Sequence, residues 1–430
     1  MIHKYDVIVV GGGAAGINAA AEARSVHPSF SVALVADENT TYSRPALTHA
    51  ISGSVKSFDD IAIYSRGTLS ALGVATYFSS RVVSLDSDSR TIVLKTPDRE
   101  ESLKYRKLVL ATGSTPALPR VLGLNLRGVF STKWIDDALR LSSFARPGMK
   151  ACVVGAGFIG LEMTQALLRR GLKVTLLEMQ SRVLPELLEP DLSAEVQEQL
   201  KRFGVKVLTS TLLKGMYGKS RVEHVSVDGK RLKTDLVAFA TGVKPNIELA
   251  VKGKVKLGRT GAIATDRRMR TNKESIYAAG DCAETLDLVT RKVVYRPLGT
   301  AAARSGVIAG SNAAGKRREY AGYLRRQYDR IFGLEIVSMG LSTHQAKNLG
   351  VKAEAVPVKP PHPSNPVLSI LRPTEAMLVA VVEKKSQRII GWQAVGKPIR
   401  TSWYSQFMQR LIERRETLGS IQEMGLTVTK

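Results

Sequence analysis

Two glycine runs with the spacing GxGxxG carry the plainest chemistry in this chain. They are GGGAAG, with Gly11, Gly13 and Gly16, and GAGFIG, with Gly155, Gly157 and Gly160. In such a run the first glycine makes a tight turn, the second lets backbone approach a pyrophosphate, and the third lets a helix pack closely on a strand. The helix that follows each run adds unpaired N–H groups and the positive end of a helix dipole, and Ala14 and Ala15 in one run and Phe158 and Ile159 in the other are expected at the cofactor. The stretch YSRPALTHAISG, Tyr42 to Gly53, presents an arginine, a proline, a threonine and a histidine, but no thiol. The only cysteines, Cys152 and Cys282, form neither a disulfide framework nor a CxxC pair, and both read as small buried apolar residues.

A phosphate-binding glycine run needs a strand before it and a helix after it, and both copies have them. YDVIVV is a continuous apolar run of the kind a parallel strand shows when both its faces are covered. The helix INAAAEARSV and the strand SVALVA follow. KACVVGAGFIG, LEMTQALLRRG and KVTLLE repeat the order, which predicts two dinucleotide-binding domains. YRKLVLATG and DLVAFATG are matching strand-to-glycine segments, one per copy, and SIYAAGDCAE is a further buried strand ending at Gly280-Asp281. After KRREY the composition changes. LEIVSMGL, AMLVAVVE and RIIGWQAVG read as strands accompanied by two helices, and the Pro-rich piece 357–366 as a loop. The expected fold is α/β, with two Rossmann-like three-layer domains and a C-terminal α+β domain. The boundaries expected are 1–116 with 245–320, then 117–244, then 321–430.

The strand of the second copy ends on Glu178, 23 residues after Gly155. A carboxylate there accepts hydrogen bonds from an adenosine ribose diol and repels a 2′-phosphate, so NADH is expected. Arg182 nearby leaves NADPH possible. In the first copy the strand ends at Asp37, with the adjacent Glu38 as rival for the ribose.

A length of 430 residues implies two or three domains, and 44% hydrophobic content with 36 glycines fits a turn-rich α/β protein. No apolar run is long enough to cross a bilayer, which argues against membrane insertion. MIHKYDVIVV enters a strand at once, so no signal peptide and a cytoplasmic location are expected. The net charge of +25 is spread along the chain and favours encounter with anions. No nucleic-acid motif with interleaved aromatics accompanies it, which argues against specific nucleic-acid binding. Acidic electron-carrier proteins or anionic small molecules are the expected partners. No metal site is expected.

The combination of GGGAAG, YRKLVLATGSTP, GAGFIGLE with Glu178, DLVAFATGVKPN and AAGDCAE resembles the FAD-dependent pyridine nucleotide–disulfide oxidoreductases over essentially the whole length. GLSTHQAKNLG and RIIGWQAVGK look like the dimerisation domain of the NADH oxidase and coenzyme A-disulfide reductase branch. The resemblance implies a homodimer with FAD in the first unit and NAD(P)H in the second. It puts Asp281 on the ribityl chain, Ala111, Thr112 and Gly113 beside the flavin nucleotide, and Val82 at the adenine. It gives Gly242 the matching place in the second unit and Arg44 a pyrophosphate contact. Pro297, Leu298 and Gly299 would begin a helix aimed at the flavin pyrimidine edge. Phe158 stands where the oxidase branch often has a tyrosine over the flavin.

In the disulfide-reducing branch a cysteine lies above the flavin, and alignment puts Pro45 in its place. YSRPALTH instead resembles the YxRPxLSK pattern of rubredoxin reductases, putidaredoxin-type reductases and apoptosis-inducing factor, which move electrons through flavin alone. His49 takes the lysine position of that pattern, and the resemblance implies that it meets Glu162 near the flavin. GLTVTK stands near where oxidase relatives continue into a Tyr-Ala-Pro-Pro-like tail, so no C-terminal tyrosine is carried over. The expected function is FAD-dependent NADH oxidation through flavin alone, delivering to an electron-carrier protein, oxygen or another acceptor. Reduction of coenzyme A disulfide, persulfide or sulfur, and an FAD-containing NADH-sensing binding protein, are the alternatives.

Overall fold

The computed structural model describes residues 3–359, 376–397, 401–423 and 427–428. The first apolar strand, His3–Val10, lies in the middle of a sheet. It pairs in parallel with Val32–Val35 on one side and Glu100–Leu110 on the other. Val74–Tyr77 extends the first side, and Ile276–Ala278, from much later in the chain, pairs in parallel with Glu100–Leu110. Val7 and Val9 pack with the helices Ala14–Val26 and Gly299–Ala313 on one face, and Ile8 with Leu85, Ile92 and Leu94 on the other, so all three are fully buried. An antiparallel meander, Arg81–Asp86 and Thr91–Lys95, pairs with the long strand Glu100–Leu110.

The second fingerprint repeats this plan. Its sheet has the order Lys206–Leu208, Lys173–Leu177, Lys150–Val154, Leu236–Phe239, Val129–Ser131, all parallel. A separate antiparallel sheet, Leu213–Tyr217, His224–Val227 and Lys230–Lys233, sits beside it. Ser114–Pro116 and Val243–Pro245 pair as the two connections that lead out of and back into the first unit.

The three C-terminal strands anticipated from composition are present as Leu334–Gly340, Ala376–Glu383 and Ile389–Gly396. They belong to a six-stranded antiparallel sheet that begins with Arg326–Ile331 and carries the helix Thr401–Arg414. Leu334, Ile336 and Val395 join the apolar cluster of Leu184, Leu187 and Leu188, so this sheet packs on the second unit. Pro357 to Lys359 close the strand Ala353–Lys359, and the rest of the Pro-rich piece lies outside the described residues. Among the described residues no helix is long and apolar enough to cross a membrane.

One helix contact sets the geometry of the site. Ala14–Val26 and Gly299–Ala313 lie together, and a Cβ added at Gly306 would stand 2.2 Å from Ala15 O. At Gly310 it would stand 2.2 Å from Ala19 O. Two glycines one turn apart therefore let the backbones touch. That contact brings the helix starts, Ala14 and Gly299, to the same cavity.

Candidate active site

A cavity of about 1650 Å³ runs between the two dinucleotide units and the C-terminal sheet. A single small-molecule site spans roughly 300–1,000 Å³, so there is room for more than one ligand. The glycine turns meet it in the same way twice. Gly11 has φ +120° and a Cβ there would fall 2.1 Å from Ala111 O; Gly155 has φ +100° and would meet Ala240 O at 2.5 Å. The third glycines do not line the cavity. A Cβ on Gly16 would sit 1.8 Å from Gly11 O and one on Gly160 1.9 Å from Gly155 O, so both serve helix–strand packing. Gly13 meets the guanidinium of Arg44, whose Nη1 would be 2.9 Å from an added Cβ. That puts a positive charge at the phosphate-binding turn.

Arg44 is held there. Its Nη2 pairs with Glu38 Oε2 at 2.6 Å, and the Tyr42 hydroxyl donates to Glu38 Oε1. Burial raises the Glu38 carboxyl, opposed by Arg44. Glu38 is thus committed to Arg44 and Tyr42, while Asp37 keeps a half-exposed carboxylate on the cavity, 3.3 Å from Arg81. Of the two ribose candidates, Asp37 has the free edge. Val82, Ala111, Thr112, Gly113, Pro297, Leu298 and Gly299 all line the cavity. Asp281 lines it too, accepting from Ser114 Oγ at 2.8 Å and pairing with Lys133 Nζ at 3.4 Å. Burial pulls the Lys133 ammonium down while Asp281 opposes. Lys133 escaped the sequence reading because a lysine in FSTKWIDD belongs to no fingerprint.

In the second unit Gly155, Gly157, Phe158, Ile159, Glu178 and Gly242 line the cavity. Glu178 Oε2 accepts from Ala156 N at 2.7 Å and Oε1 from Gln180 N at 2.9 Å. Two backbone donors hold the carboxylate in place, and a carboxylate retains acceptor capacity beyond them. Arg182 does not line the cavity; its Nη2 donates to Pro185 O at 3.1 Å.

His49 is the correction. It is exposed and does not line the cavity, whereas Thr48 is buried and donates from Oγ1 to Glu162 Oε2 at 3.0 Å. The helix Leu47–Ile51 buries Leu47, Thr48, Ala50 and Ile51. At about 100° per residue these four cover one side, and position 49 falls on the other. The carboxyl that Glu162 does meet is Asp329, on the strand Arg326–Ile331. Burial, and then the adjacent Asp329, push the Glu162 carboxyl up to about 9, with Thr48 opposing. Asp329 escaped the sequence reading because it stands in no motif.

Neither thiol reaches this site. Cys152 and Cys282 are fully buried and do not line the cavity, while Pro45 does. Burial alone pushes the Cys152 thiol up to about 12, and burial raises Cys282 as well. The glycine turn, the Arg44 guanidinium and two helix starts meeting one large cavity fit FAD in the first unit. When bound, FAD supplies hydride-accepting chemistry that no side chain offers.

The description "pyridine nucleotide-disulphide oxidoreductase" fits residues 5–300 as a family. An NADH oxidase of Methanocaldococcus jannaschii is 38% identical over 345 residues, 79% of this chain and 77% of that one. The CoA-dependent NAD(P)H sulfur oxidoreductase of Pyrococcus furiosus is 32% identical over 407 residues, 93% of this chain and 89% of that one. Among solved structures, an NAD-dependent persulfide reductase from A. fulgidus superposes with a TM-score of 0.89 at 32% identity, covering 96% of this chain and 78% of that one. With two fingerprints on one cavity and relatives matched over most of its length, the chain belongs to the pyridine nucleotide-disulphide oxidoreductase family and is an FAD-dependent NAD(P)H oxidoreductase that binds FAD and NAD(H).

Proposed function

We propose that electrons pass from NADH through FAD alone to an external acceptor, with no protein thiol in the relay. The observation that carries this reading is Pro45 on the cavity with both cysteines buried away from it. A proline forms no thiolate and no mixed disulfide, so bound flavin is the one redox centre. Arg44, Glu178 and the glycine turns hold and orient the nucleotides. Glu162 and Asp329 hold a proton within the cavity. The C-terminal sheet serves as the dimerisation surface, and the positive charge of the chain favours an acidic carrier or another anionic acceptor.

A second reading is supported by the P. furiosus and A. fulgidus relatives, whose names specify CoA-dependent sulfur and persulfide chemistry. On that reading the sulfur substrate takes electrons from flavin directly. Both readings require a single two-electron centre per subunit. Anaerobic titration of the holoenzyme should therefore end at two electrons per subunit, and the double variant Cys152→Ala, Cys282→Ala should still have its flavin bleached by NADH. Uptake of four electrons, or loss of NADH turnover when the folded protein is alkylated at thiols, would refute the thiol-free relay. Reoxidation rates with oxygen, a rubredoxin-like carrier and coenzyme A disulfide then separate the acceptors.

A further inference from the structure

We propose that the cavity contains a recognition site for a small anion, built on Arg325 and Arg296, and that this anion is the electron acceptor. The inference rests on the flavin-only relay and adds the chemical class of the second substrate.

Arg325 is 2% exposed yet lines the cavity. Its Nε donates to Gly340 O at 2.7 Å, its Nη2 to Ser338 Oγ at 2.9 Å, and its Nη1 to Gln327 Oε1 at 3.4 Å. All three partners are neutral, and among the described residues Arg325 makes no ion pair. The nearby Arg296 also lines the cavity and already holds Asp287 at 2.9 Å. Its Nε is buried without a hydrogen-bond partner among the described residues. Glu186, the other carboxylate that acts on Arg325, is engaged by Gln180 and by His344. Both carboxylates that act on Arg325, Asp287 and Glu186, are thus engaged elsewhere, and neither pairs with it directly.

A buried cation without a counter-ion is costly, and arginine does not escape by losing its proton at neutral pH. Burial, and then Arg296, pull Arg325 down to about 9, which still leaves it charged there. The phosphates of FAD and NADH belong at the two glycine turns, so neither cofactor supplies the missing charge. The planar guanidinium fork suits a compact oxyanion or sulfur anion. Arg296 directly precedes Pro297, Leu298 and Gly299, the segment expected at the flavin edge. Arg325, Gln327 and Asp329 alternate along extended chain and so share a face, which sets the anion site beside the Glu162–Asp329 proton store. For an anion X–Y⁻ with a cleavable N–O or S–S bond the overall step balances as NADH + H⁺ + X–Y⁻ → NAD⁺ + XH + YH⁻: the X–Y bond breaks and takes up the electron pair, a hydride equivalent comes from NADH, and the proton comes from that carboxyl pair, refilled by solvent.

The test titrates oxidised holoenzyme with sulfate, nitrite and thiosulfate at constant ionic strength, reading the flavin absorption band and the melting temperature. At least one of these should give a saturable band shift and a higher melting temperature. Binding should weaken at least tenfold in Arg325→Gln, and not in Arg202→Gln, which removes an equal charge from the surface. Should Arg325→Gln fail to fold, Gln327→Glu supplies a carboxylate to Arg325 from within and should abolish the shift. The proposal is overturned if no anion binds saturably, if Gln327→Glu binds as tightly as wild type, or if Arg325→Gln and Arg202→Gln behave alike. It is also overturned if only an acidic carrier protein binds. Anaerobic bleaching of wild-type flavin by NADH tests the relay separately. If bleaching occurs and anions do not bind, only the anion site falls.

Discussion

Thr48 Oγ1 lies 3.0 Å from Glu162 Oε2, so the neighbour of the anticipated histidine, and not the histidine, reaches the cavity carboxyl. Three elements far apart in the chain meet here: the helix Leu47–Ile51, the helix Phe158–Arg169 and the strand Arg326–Ile331. Pro45 lies in the turn just before Leu47–Ile51, so one local conformation sets a proline on the cavity and delivers a hydroxyl to Glu162. His49→Ala should leave the rate of flavin reduction by NADH within about twofold. Thr48→Val deletes a hydrogen bond of about 1–3 kcal/mol to a buried group, and should change that rate by about tenfold. Stopped-flow reduction of both variants decides; equal effects would return His49 to the site.

Glu162 makes stability depend on pH in a stated direction. Its ordinary value is 4.5 and the folded value is about 9, raised by burial and Asp329. Between those values the folded protein keeps a proton that the unfolded chain has released. Stability of the cofactor-free protein therefore falls as pH rises through this window, from this group. Glu162→Gln removes the effect, so its advantage over wild type should be larger at pH 8.5 than at pH 5. Asp329→Asn should weaken the dependence by lowering the Glu162 value. Urea melts at the two pH values measure both, and an advantage that is larger at pH 5 would contradict the assignment.

The contact of Gly306 with Ala15 leaves no space for a methyl group. Gly306→Ala places Cβ at 2.2 Å from Ala15 O, so the helices must part. A loss of about 1–3 kcal/mol is expected from such overpacking, together with weaker retention of FAD, since both helix starts shift. Gly67→Ala is the control. It lies in the helix Arg66–Ala71 with its nearest contact at 3.6 Å, and should be neutral or stabilising by up to about 1 kcal/mol. Thermal melts and dialysis against apoprotein report the two effects.

Glu178 has a double task, anchoring Ala156 N and Gln180 N while facing the cavity. Glu178→Ala removes charge-assisted bonds worth about 1.5–3 kcal/mol each. The KM for NADH should rise about 10- to 100-fold, and the preference over NADPH should disappear. Steady-state kinetics with both nucleotides give the answer. An unchanged preference would show that Glu178 is only a strand cap.

The glycine turns were legible in the sequence because their demands are local. Gly11 and Gly155 need φ above zero, and Gly16 and Gly160 need to lack a Cβ, within a few residues of a strand end. The buried strands and the Asp37 and Glu178 positions follow from the same short spacing. The antiparallel meanders were not legible, since Arg81–Asp86 breaks apolar alternation at Val82-Val83 and Lys230–Lys233 is mostly cationic, and both take strand form by pairing.

The sequence by itself therefore determined the two nucleotide-binding units and the lack of a thiol in the stretch YSRPALTHAISG. Tertiary structure alone decided which of Thr48 and His49 faces inward, and that Lys133, Arg325 and Asp329 belong to the cavity. The reason is physical. A five-residue helix has no periodicity long enough to mark its buried side, and a charge brought in from a distant strand leaves no trace in local spacing. Its meaning arises only when folding takes it from water and sets it against another charge.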